Sequence, residues 1–88
     1  MIPYMVLLQM RRLHLASVKK IIEKMKSQPN GIRPDEADKV LTYYCYIQKR
    51  ISGSHKQYVN NIGDVITIVQ RKQLYEYEVK DILRRIGE

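Results

Sequence analysis

A short stretch in the second half of the chain, Gly53-Ser54-His55-Lys56, carries the residue types that proton transfer needs. Histidine is the side chain best suited to give and take a proton near neutral pH. A glycine two residues earlier lets a ligand approach the backbone closely. RNA contains its own nucleophile, the 2′-hydroxyl, so a basic surface that offers one imidazole to that hydroxyl or to the leaving oxygen needs no metal or cofactor. A solvated surface histidine is the alternative interpretation of His55.

The segment around this motif is basic. From Lys49 to Lys72 five basic residues stand against one acidic residue, Asp64, and the whole chain has a formal charge of +7. Such a charge favours nucleic acid, an acidic membrane face or an acidic protein as the partner. The candidates for contacting a phosphate near His55 are Lys49, Arg50, Gly53, Ser54, Lys56 and Lys72. Phosphate contacts of this kind position a nucleic acid without reading its sequence.

Other kinds of site have little support in the sequence. Cys45 is the only cysteine and has no partner for a disulfide, and we expect it to be a packed small residue on a strand. The acidic cluster at residues 35–38 is typical of a helix N-terminus rather than a metal site. We therefore predict no metal and no cofactor. Two tyrosines, Tyr46 and Tyr58, are left with two equal interpretations, stacking on bases or packing against helices.

The pattern of apolar residues predicts one small α+β domain in the 88 residues. Apolar residues at i, i+3, i+4 and i+7 from Val18 to Met25 predict a first helix with Ser17 as its N-cap. A second helix should begin at Pro34 and end near Tyr43, and a third should bury the apolar face from Tyr75 to Ile86 and end at Gly87.

Between the second and third helices, aromatic and β-branched runs predict three strands. They cover residues 44–51, 55–59 and 65–69, and the last run is β-branched enough to suit a central or best-buried strand. Short turns between them require an antiparallel meander. The expected order is α-α-β-β-β-α, with the helices packed on one face of a three-stranded antiparallel sheet.

Residues 1–16 are interpreted as an N-terminal extension, either helical or a flexible arm, with a weakly packed continuation of the first helix favoured, followed by the folded domain at residues 17–88. In this extension Arg11 and Arg12 follow the apolar stretch, which is the reverse of the order in a signal peptide. The stretch is also shorter than the roughly 20 apolar residues that a membrane span needs. We therefore expect no membrane partner, and the single cysteine, which leaves no intrachain disulfide, favours the cytoplasm.

The segment Gly53-Ser54-His55-Lys56-Gln57-Tyr58, followed by a β-branched strand and the helix at Val79-Lys80-Asp81-Ile82-Leu83, resembles the HicA family of toxin ribonucleases. The resemblance covers about residues 17–88 and includes Lys19-Lys20 of the first helix. It implies a fold like that of double-stranded-RNA-binding domains, and it implies that His55 is the catalytic histidine. It also implies cleavage of mRNA in a type II toxin-antitoxin system and neutralisation by a HicB-like antitoxin, which we expect to be acidic and to cover His55.

The chain departs from the family pattern at three places. Residues 27–37 add a loop and a second helix that shorter members lack, although a subgroup carries them. A small residue, commonly glycine, usually stands where Cys45 is. Residues 1–16 have no matching segment. Two other classes of function therefore stay open: an RNA-binding module with the same basic sheet but no catalysis, and an interaction protein whose charge serves only to meet an acidic partner.

Overall fold

The secondary structure follows the expected order of elements. A computed structural model describes the backbone of residues 4–88 and the side chains from residue 15 onward, and over this part the chain is α+β. The helices are α1 (Tyr4–Ser27), α2 (Pro34–Tyr43) and α3 (Glu76–Ile86), the strands are β1 (Ile47–Ser52), β2 (His55–Val59) and β3 (Val65–Val69), and a single 3-10 turn covers Pro29–Gly31.

The three strands form an antiparallel sheet in the order β1-β2-β3. The β2–β3 ladder is regular from the pair His55 and Val69 to the pair Val59 and Val65, whereas β1 carries a bulge between Gln48 and Arg50. The central strand is therefore β2. Of the two expectations for the β-branched run at residues 65–69, the central position is wrong, because β3 lies at an edge, but β3 is the best-buried of the three strands, with Ile66 and Ile68 in the core.

The core lies between one face of the sheet and the helices, as expected. Helix α1 buries Val18, Ile21, Ile22 and Met25, and α2 buries Ala37, Val40 and Leu41. On α3 the buried apolar residues are Val79 and Ile82, with Leu83 and Ile86 packed at the margin. Tyr75 was expected on this face but is 53% exposed, since it precedes the helix as its N-cap. Side chains from the sheet complete the core: Tyr46, Tyr58, Ile66 and Ile68.

Helix α1 begins well before Ser17. It runs without a break from Tyr4, so the expectation that Ser17 caps its N-terminus is wrong. Helix propensity continues through the preceding residues, which contain no glycine or proline between Tyr4 and Ala16. Residues 1–3, and the packing of residues 4–14 that we expected to be weak, lie outside what the structure describes.

The chain leaves α2 through a turn rather than directly into a strand, so β1 starts three residues later than residue 44. The N–H of Cys45 donates to the carbonyl of Thr42 at 3.1 Å, and the N–H of Tyr46 donates to the carbonyl of Leu41 at 2.9 Å. This pair of bonds is the Schellman motif, which requires a left-handed residue and usually selects glycine. Here Cys45 has φ 68° and is exposed, so it is not the packed strand residue that we expected.

We predict that Cys45→Gly stabilises the fold. A side chain in the left-handed region costs about 1–2 kcal/mol, and the extra backbone freedom of glycine in the unfolded state returns about 0.5–1 kcal/mol of that. The expected net gain is about 0.5–1 kcal/mol in the free energy of unfolding, measured by urea denaturation. Cys45→Ala is the matched control, because it removes the thiol and keeps the Cβ. An equal gain in both variants would contradict the explanation.

A buried carboxylate ties α1 to α2. Glu36 is 8% exposed, and its Oε1 accepts from Lys24 Nζ at 3.0 Å and from the backbone N–H of Arg33 at 3.0 Å. Burial raises the pKa of Glu36, but the bonds from Arg33 and Lys24 outweigh burial, so the net pKa lies below its ordinary value of 4.5. The ionised form is therefore the one that stabilises the fold.

We predict that Glu36→Gln costs about 1–2 kcal/mol of unfolding free energy at neutral pH. Because the pKa is lowered on folding, the contribution of Glu36 is present above about pH 4.5 and is lost as the pH falls through the folded-state value. The stability difference between wild type and Glu36→Gln should thus shrink on acidification, as measured by urea denaturation across that range. Glu23→Gln on the exposed side of α1 is the control and should leave stability unchanged at both neutral and acidic pH. A difference that stays constant with pH would show that the charge of Glu36 is not involved.

Candidate functional site

The helices cover one face of the sheet at β2 and β3 and leave the other face open, while all six residues of β1 are exposed. Side chains alternate between the faces along each strand, and directly paired residues share a face. Tyr58 is 1% exposed and belongs to the covered face, so the other set of β2 residues, His55, Gln57 and Val59, belongs to the open face. The residues that pair with them lie on the same face. These are Ile47, Arg50 and Ser52 on β1 and Val65, Thr67 and Val69 on β3.

The Gly53-Ser54 turn places His55 at one end of this open face. Ser52 pairs with His55, so only Gly53 and Ser54 link β1 to β2. Gly53 has φ 58°, and a left-handed first residue is typical of a tight two-residue hairpin. The space around its α-carbon is open, so the backbone conformation is what requires glycine here. The carbonyl of Ser54 accepts the backbone N–H of Gln70 at 2.6 Å, which fixes the turn against the end of β3.

His55 is exposed in this position. Its direct neighbours across the sheet are Ser52 on β1 and Val69 on β3. Along the same face of β2 the next residue is Gln57, which is flanked by Arg50 and Thr67. The imidazole therefore lies at the hairpin end of the face. Next to it is a row of polar groups that can donate hydrogen bonds, together with the guanidinium of Arg50. A phosphodiester laid on this row would meet a cation and a proton-transfer group on the same surface.

The structure separates the predicted phosphate-contacting residues into groups. Arg50 shares the open face with His55, and Lys49 is the extra residue of the bulge beside it. Lys56 is next to His55 in sequence but pairs with Ile68, which is buried, so it lies on the covered side and is half-buried. Lys72 is in the bend that follows β3, three residues beyond the strand partner of His55. Gly53 and Ser54 form the turn itself.

Within the described part of the chain some basic residues have a carboxylate partner and others do not, and the second group includes Lys19, Lys20 and Lys39 of the helices as well as residues near the hairpin. Lys24, Lys26, Arg84 and Arg85 of the helices hold carboxylates in salt bridges, which assigns them structural roles. Among the described residues the salt bridges include none of Lys49, Arg50, Lys56 and Lys72. Arg71, within the same basic segment, forms a salt bridge from its Nη1 to Glu78 Oε1 at 2.5 Å. Its guanidinium carbon lies 3.8 Å from the centroid of the Tyr75 ring. The cations without a carboxylate partner near His55 are thus available to an anion.

Tyr46 and Tyr58 pack in the core and do not face a ligand. They are 4% and 1% exposed, and the hydroxyl of each donates to a carboxylate at 2.5 Å, Tyr46 to Asp64 and Tyr58 to Asp38. Of the two interpretations that the sequence leaves open for them, base stacking is wrong. The described tyrosines nearest in sequence to the end of β3, Tyr75 and Tyr77, are 53% and 70% exposed, with ring centroids 5.8 Å apart.

The acidic cluster at the start of α2 has structural partners, as expected. Asp35 pairs with Arg33, Glu36 holds Lys24, and Asp38 accepts the hydroxyl of Tyr58. Over the part of the chain whose side chains are described, no group of three or more His, Cys, Asp or Glu residues is placed to bind a metal ion.

The far end of the open face is apolar. Ile47, Val59 and Val65 are paired in one row across the three strands, and Ile47 and Val65 are 65% and 46% exposed. Ile62, in the loop that joins β2 to β3, is 84% exposed. The open face thus changes from His55 and Arg50 at one end to an aliphatic row at the other.

Sequence reasoning missed Gln57, Ser52 and Thr67 as residues of the site, because it ranked residues by charge and by nearness to His55. The signal that finds them is strand alternation: residues 55 and 57 share a face, and pairing in a meander brings their partners alongside. The same alternation separates Lys56 from His55.

Within the described part of the chain, no helix has both the length and the apolar character needed to cross a membrane. Comparison of the chain with family models, with curated proteins and with solved structures found no match in any of the three.

Proposed function

We propose that the chain is a metal-independent endoribonuclease of the HicA toxin type, in which His55 acts as general acid or base on mRNA. The observation that carries the proposal is that an exposed histidine shares the open face with Arg50, and that neither Arg50 nor Lys49 beside it has a carboxylate partner among the described residues. The resemblance of the Gly53-Ser54-His55 motif to that family supplies the type of reaction. The HicA-type domain would comprise residues 17–88, with a fold like that of double-stranded-RNA-binding domains.

The reaction uses groups that the RNA and this face already contain. The 2′-hydroxyl attacks the adjacent phosphorus, the 5′-oxygen of the next nucleotide leaves, and a 2′,3′-cyclic phosphate forms. One proton leaves the 2′-oxygen and one arrives at the 5′-oxygen. His55 performs one of these transfers, and Arg50, with Lys49 and Lys72 nearby, stabilises the charge that develops on the phosphate oxygens.

The open face also fits the partner that such a toxin requires. An acidic antitoxin that covers His55 would place carboxylates against Arg50 and Lys49 and would bury the aliphatic row of Ile47, Val59 and Val65. Unpaired cations give such a complex its fast association and orientation, while the aliphatic row supplies apolar area for burial. The partner would be encountered in the cytoplasm, together with the mRNA.

One observation favours a second candidate, a non-catalytic RNA-binding module. The open-face residues around His55 are Ser52, Gln57, Arg50 and Val69, and none of them is a second carboxylate or imidazole for the other proton transfer. A face that only binds phosphate would have the same cations and would need no such group. The two candidates differ in whether bound RNA is recovered intact.

We predict that His55→Ala abolishes RNA cleavage and leaves the fold and RNA binding unchanged. Purified protein is incubated with total RNA in EDTA, cleavage is followed on a gel and binding by gel shift, and circular dichroism checks folding. Thr42→Ala, an uncharged substitution at an exposed position of α2 away from the open face, is the control and should retain cleavage. Loss of a single proton-transfer group typically costs about 10²–10⁴-fold in rate.

Three outcomes decide between the candidates. Cleavage by wild type and Thr42→Ala but not by His55→Ala supports the ribonuclease. Equal cleavage by folded His55→Ala rejects His55 as the catalytic residue. Intact RNA with all three proteins, together with a gel shift, supports the binding module.

We predict that Arg50→Ala weakens RNA binding and reduces its dependence on salt. Each phosphate contact to a single strand contributes about 0.7 to the slope of log affinity against log salt concentration. Loss of Arg50 should lower that slope by about this amount, measured by fluorescence anisotropy with a labelled single-stranded RNA. Lys39→Ala is the control, since it removes the same charge from the exposed side of α2. An equal change of slope in both variants would show that only the net charge of the chain matters.

A further inference from the structure

The two edge strands of the sheet differ in how well they are protected against pairing with another strand. Edge strands normally carry charged residues, prolines or bulges that prevent such pairing. β1 has Lys49 and Arg50 and a bulge between Gln48 and Arg50. β3, with the sequence Val-Ile-Thr-Ile-Val, has no charge, no proline and a regular register. An unprotected edge of β-branched residues is suited to accept a further strand.

The backbone groups that β3 presents at this edge can be assigned from the ladder. The N–H of Gln70 donates to Ser54, and the N–H of Asn60 donates to Asp64, so the even-numbered residues of β2 and β3 are the ones that exchange hydrogen bonds. Ile66 and Ile68 therefore point their N–H and C=O groups toward β2. Val65, Thr67 and Val69 point theirs away from the sheet, where only the carbonyl of Val65 meets a described donor, Arg85 Nη1 at 3.2 Å.

Beside this edge is a groove with room for another chain. It has a volume of about 620 Å³ and lies between β3 and α3. Its strand wall includes Thr67 and Val69, and its helix wall includes Glu78 and the stripe Tyr77, Lys80, Asp81 and Arg84. These four positions are spaced i, i+3, i+4 and i+7 and so form one face of α3. Helix α3 therefore borders the free edge without closing it.

The sequence of β3 is suited to pairing with itself. Val65-Ile66-Thr67-Ile68-Val69 reads the same in both directions. Two copies of β3 related by a two-fold axis through Thr67 would lie antiparallel, with Thr67 opposite Thr67, Val65 opposite Val69, and each outward N–H facing an outward C=O. An isologous contact requires this kind of self-complementary surface. The carbonyl of Val65 retains a second lone pair for its new donor.

Charge at the groove also fits a second copy. The chain as a whole carries +7, which opposes self-association. The helix wall is different, because Lys80 and Arg84 are balanced by Glu76, which pairs with Lys80 at 2.9 Å, and by Asp81, which pairs with Arg84. Two α3 helices meeting across a two-fold axis would therefore present alternating charges to each other and no net repulsion. A strongly acidic segment would meet Asp81 and Glu76 in the same place.

We propose that this protein forms a two-fold symmetric dimer through the free edge of β3, giving a continuous six-stranded antiparallel sheet. The proposal is independent of the ribonuclease proposal, since it uses the edge of the sheet and not His55 or the open face.

We predict that the purified chain has twice the monomer mass in solution, and that Thr67→Pro makes it monomeric. Proline at residue 67 removes an N–H that points away from β2, so the sheet itself retains its hydrogen bonds. Ile51→Pro is the matched control at the opposite edge of the sheet. Ser52 and Arg50, on either side of Ile51, are the residues that bond to β2, so the N–H of Ile51 points away from β2. Mass is measured by sedimentation equilibrium over a range of concentrations, and circular dichroism checks folding.

A dimeric wild type, a folded monomeric Thr67→Pro and a dimeric Ile51→Pro support the proposal. A wild type that stays monomeric at every concentration overturns it, as does a folded Thr67→Pro that remains dimeric.

A cross-linking experiment avoids the risk that a proline variant fails to fold. In a Cys45→Ser background, which has no other cysteine, Thr67→Cys would place two thiols opposite each other across the two-fold axis. The Cα separation of about 5.5 Å for paired strands lies within the range for a disulfide. Gln57→Cys is the control, because residue 57 is exposed on the same face but on the central strand. Rapid covalent dimerisation of Thr67→Cys alone under mild oxidation supports the proposal, and equal rates for the two variants, or no dimer with either, overturn it.

Discussion

The hydrogen bond from the Tyr58 hydroxyl to Asp38, 2.5 Å long beneath the sheet, determines which side of β2 is buried. A strand has two faces and a register shift of one residue exchanges them, so an aromatic ring held against α2 fixes the side of every other residue on the strand. Residues 55, 57 and 59 must then face away from the helices. The pairing of β2 with both neighbours extends the same division to β1 and β3. The exposure of His55 is thus a consequence of the burial of Tyr58.

Burial also limits which groups can assist His55. Burial, followed by the hydrogen bond to Asp64, raises the pKa of Tyr46 to about 12. Burial and the hydrogen bond to Asp38 raise the pKa of Tyr58 further in the same direction. Both hydroxyls therefore stay protonated near neutral pH and remain donors to their carboxylates. Since both also point into the core, neither can act as the second acid or base at the open face. Lys72, Lys49, water or a group of the RNA is left for that transfer.

Much of the fold could be predicted from apolar spacing, because the same contacts that bury Val18, Ile22, Val40 and Ile82 also impose the helical period. The errors occurred where local backbone geometry or the position of a strand in the sheet decides the outcome. The end of α2 near Tyr43 was predicted correctly, but Cys45 adopts a left-handed conformation that its residue type disfavours, so the turn after α2 was missed and β1 was expected to begin at residue 44 rather than at Ile47. A β-branched run indicates a well-buried strand, as β3 is, but not whether that strand has one neighbour or two, which is why its edge position was not predicted.

The candidate site was predictable to a similar degree and for related reasons. Nearness in sequence identified His55 and Arg50, which do share a face, but it also grouped Lys56 with His55, although consecutive strand residues point in opposite directions. Charge alone does not separate Arg71, which is held by Glu78, from Lys72, for which no salt bridge is present in the described part of the chain. That distinction depends on the bend after β3 and on the start of α3, and neither has a pattern in the sequence that fixes side-chain partners.

The edge of β3 and the open face belong to one sheet, so the proposed dimer has a consequence for the proposed site. Two β2 strands would be separated by two β3 strands, about 14 Å from centre to centre at the spacing of a sheet. His55 pairs with Val69, two residues from the proposed axis at Thr67, so the two histidines would also be displaced by about 14 Å along the strands. Both would lie on the same open face, roughly 20 Å apart across a surface with Thr67 at its centre.

A long RNA or an antitoxin dimer could contact both sites at once, and the second contact would then be intramolecular. Tight binding of such ligands would in that case depend on the β3 edge as well as on the groups that touch the phosphate.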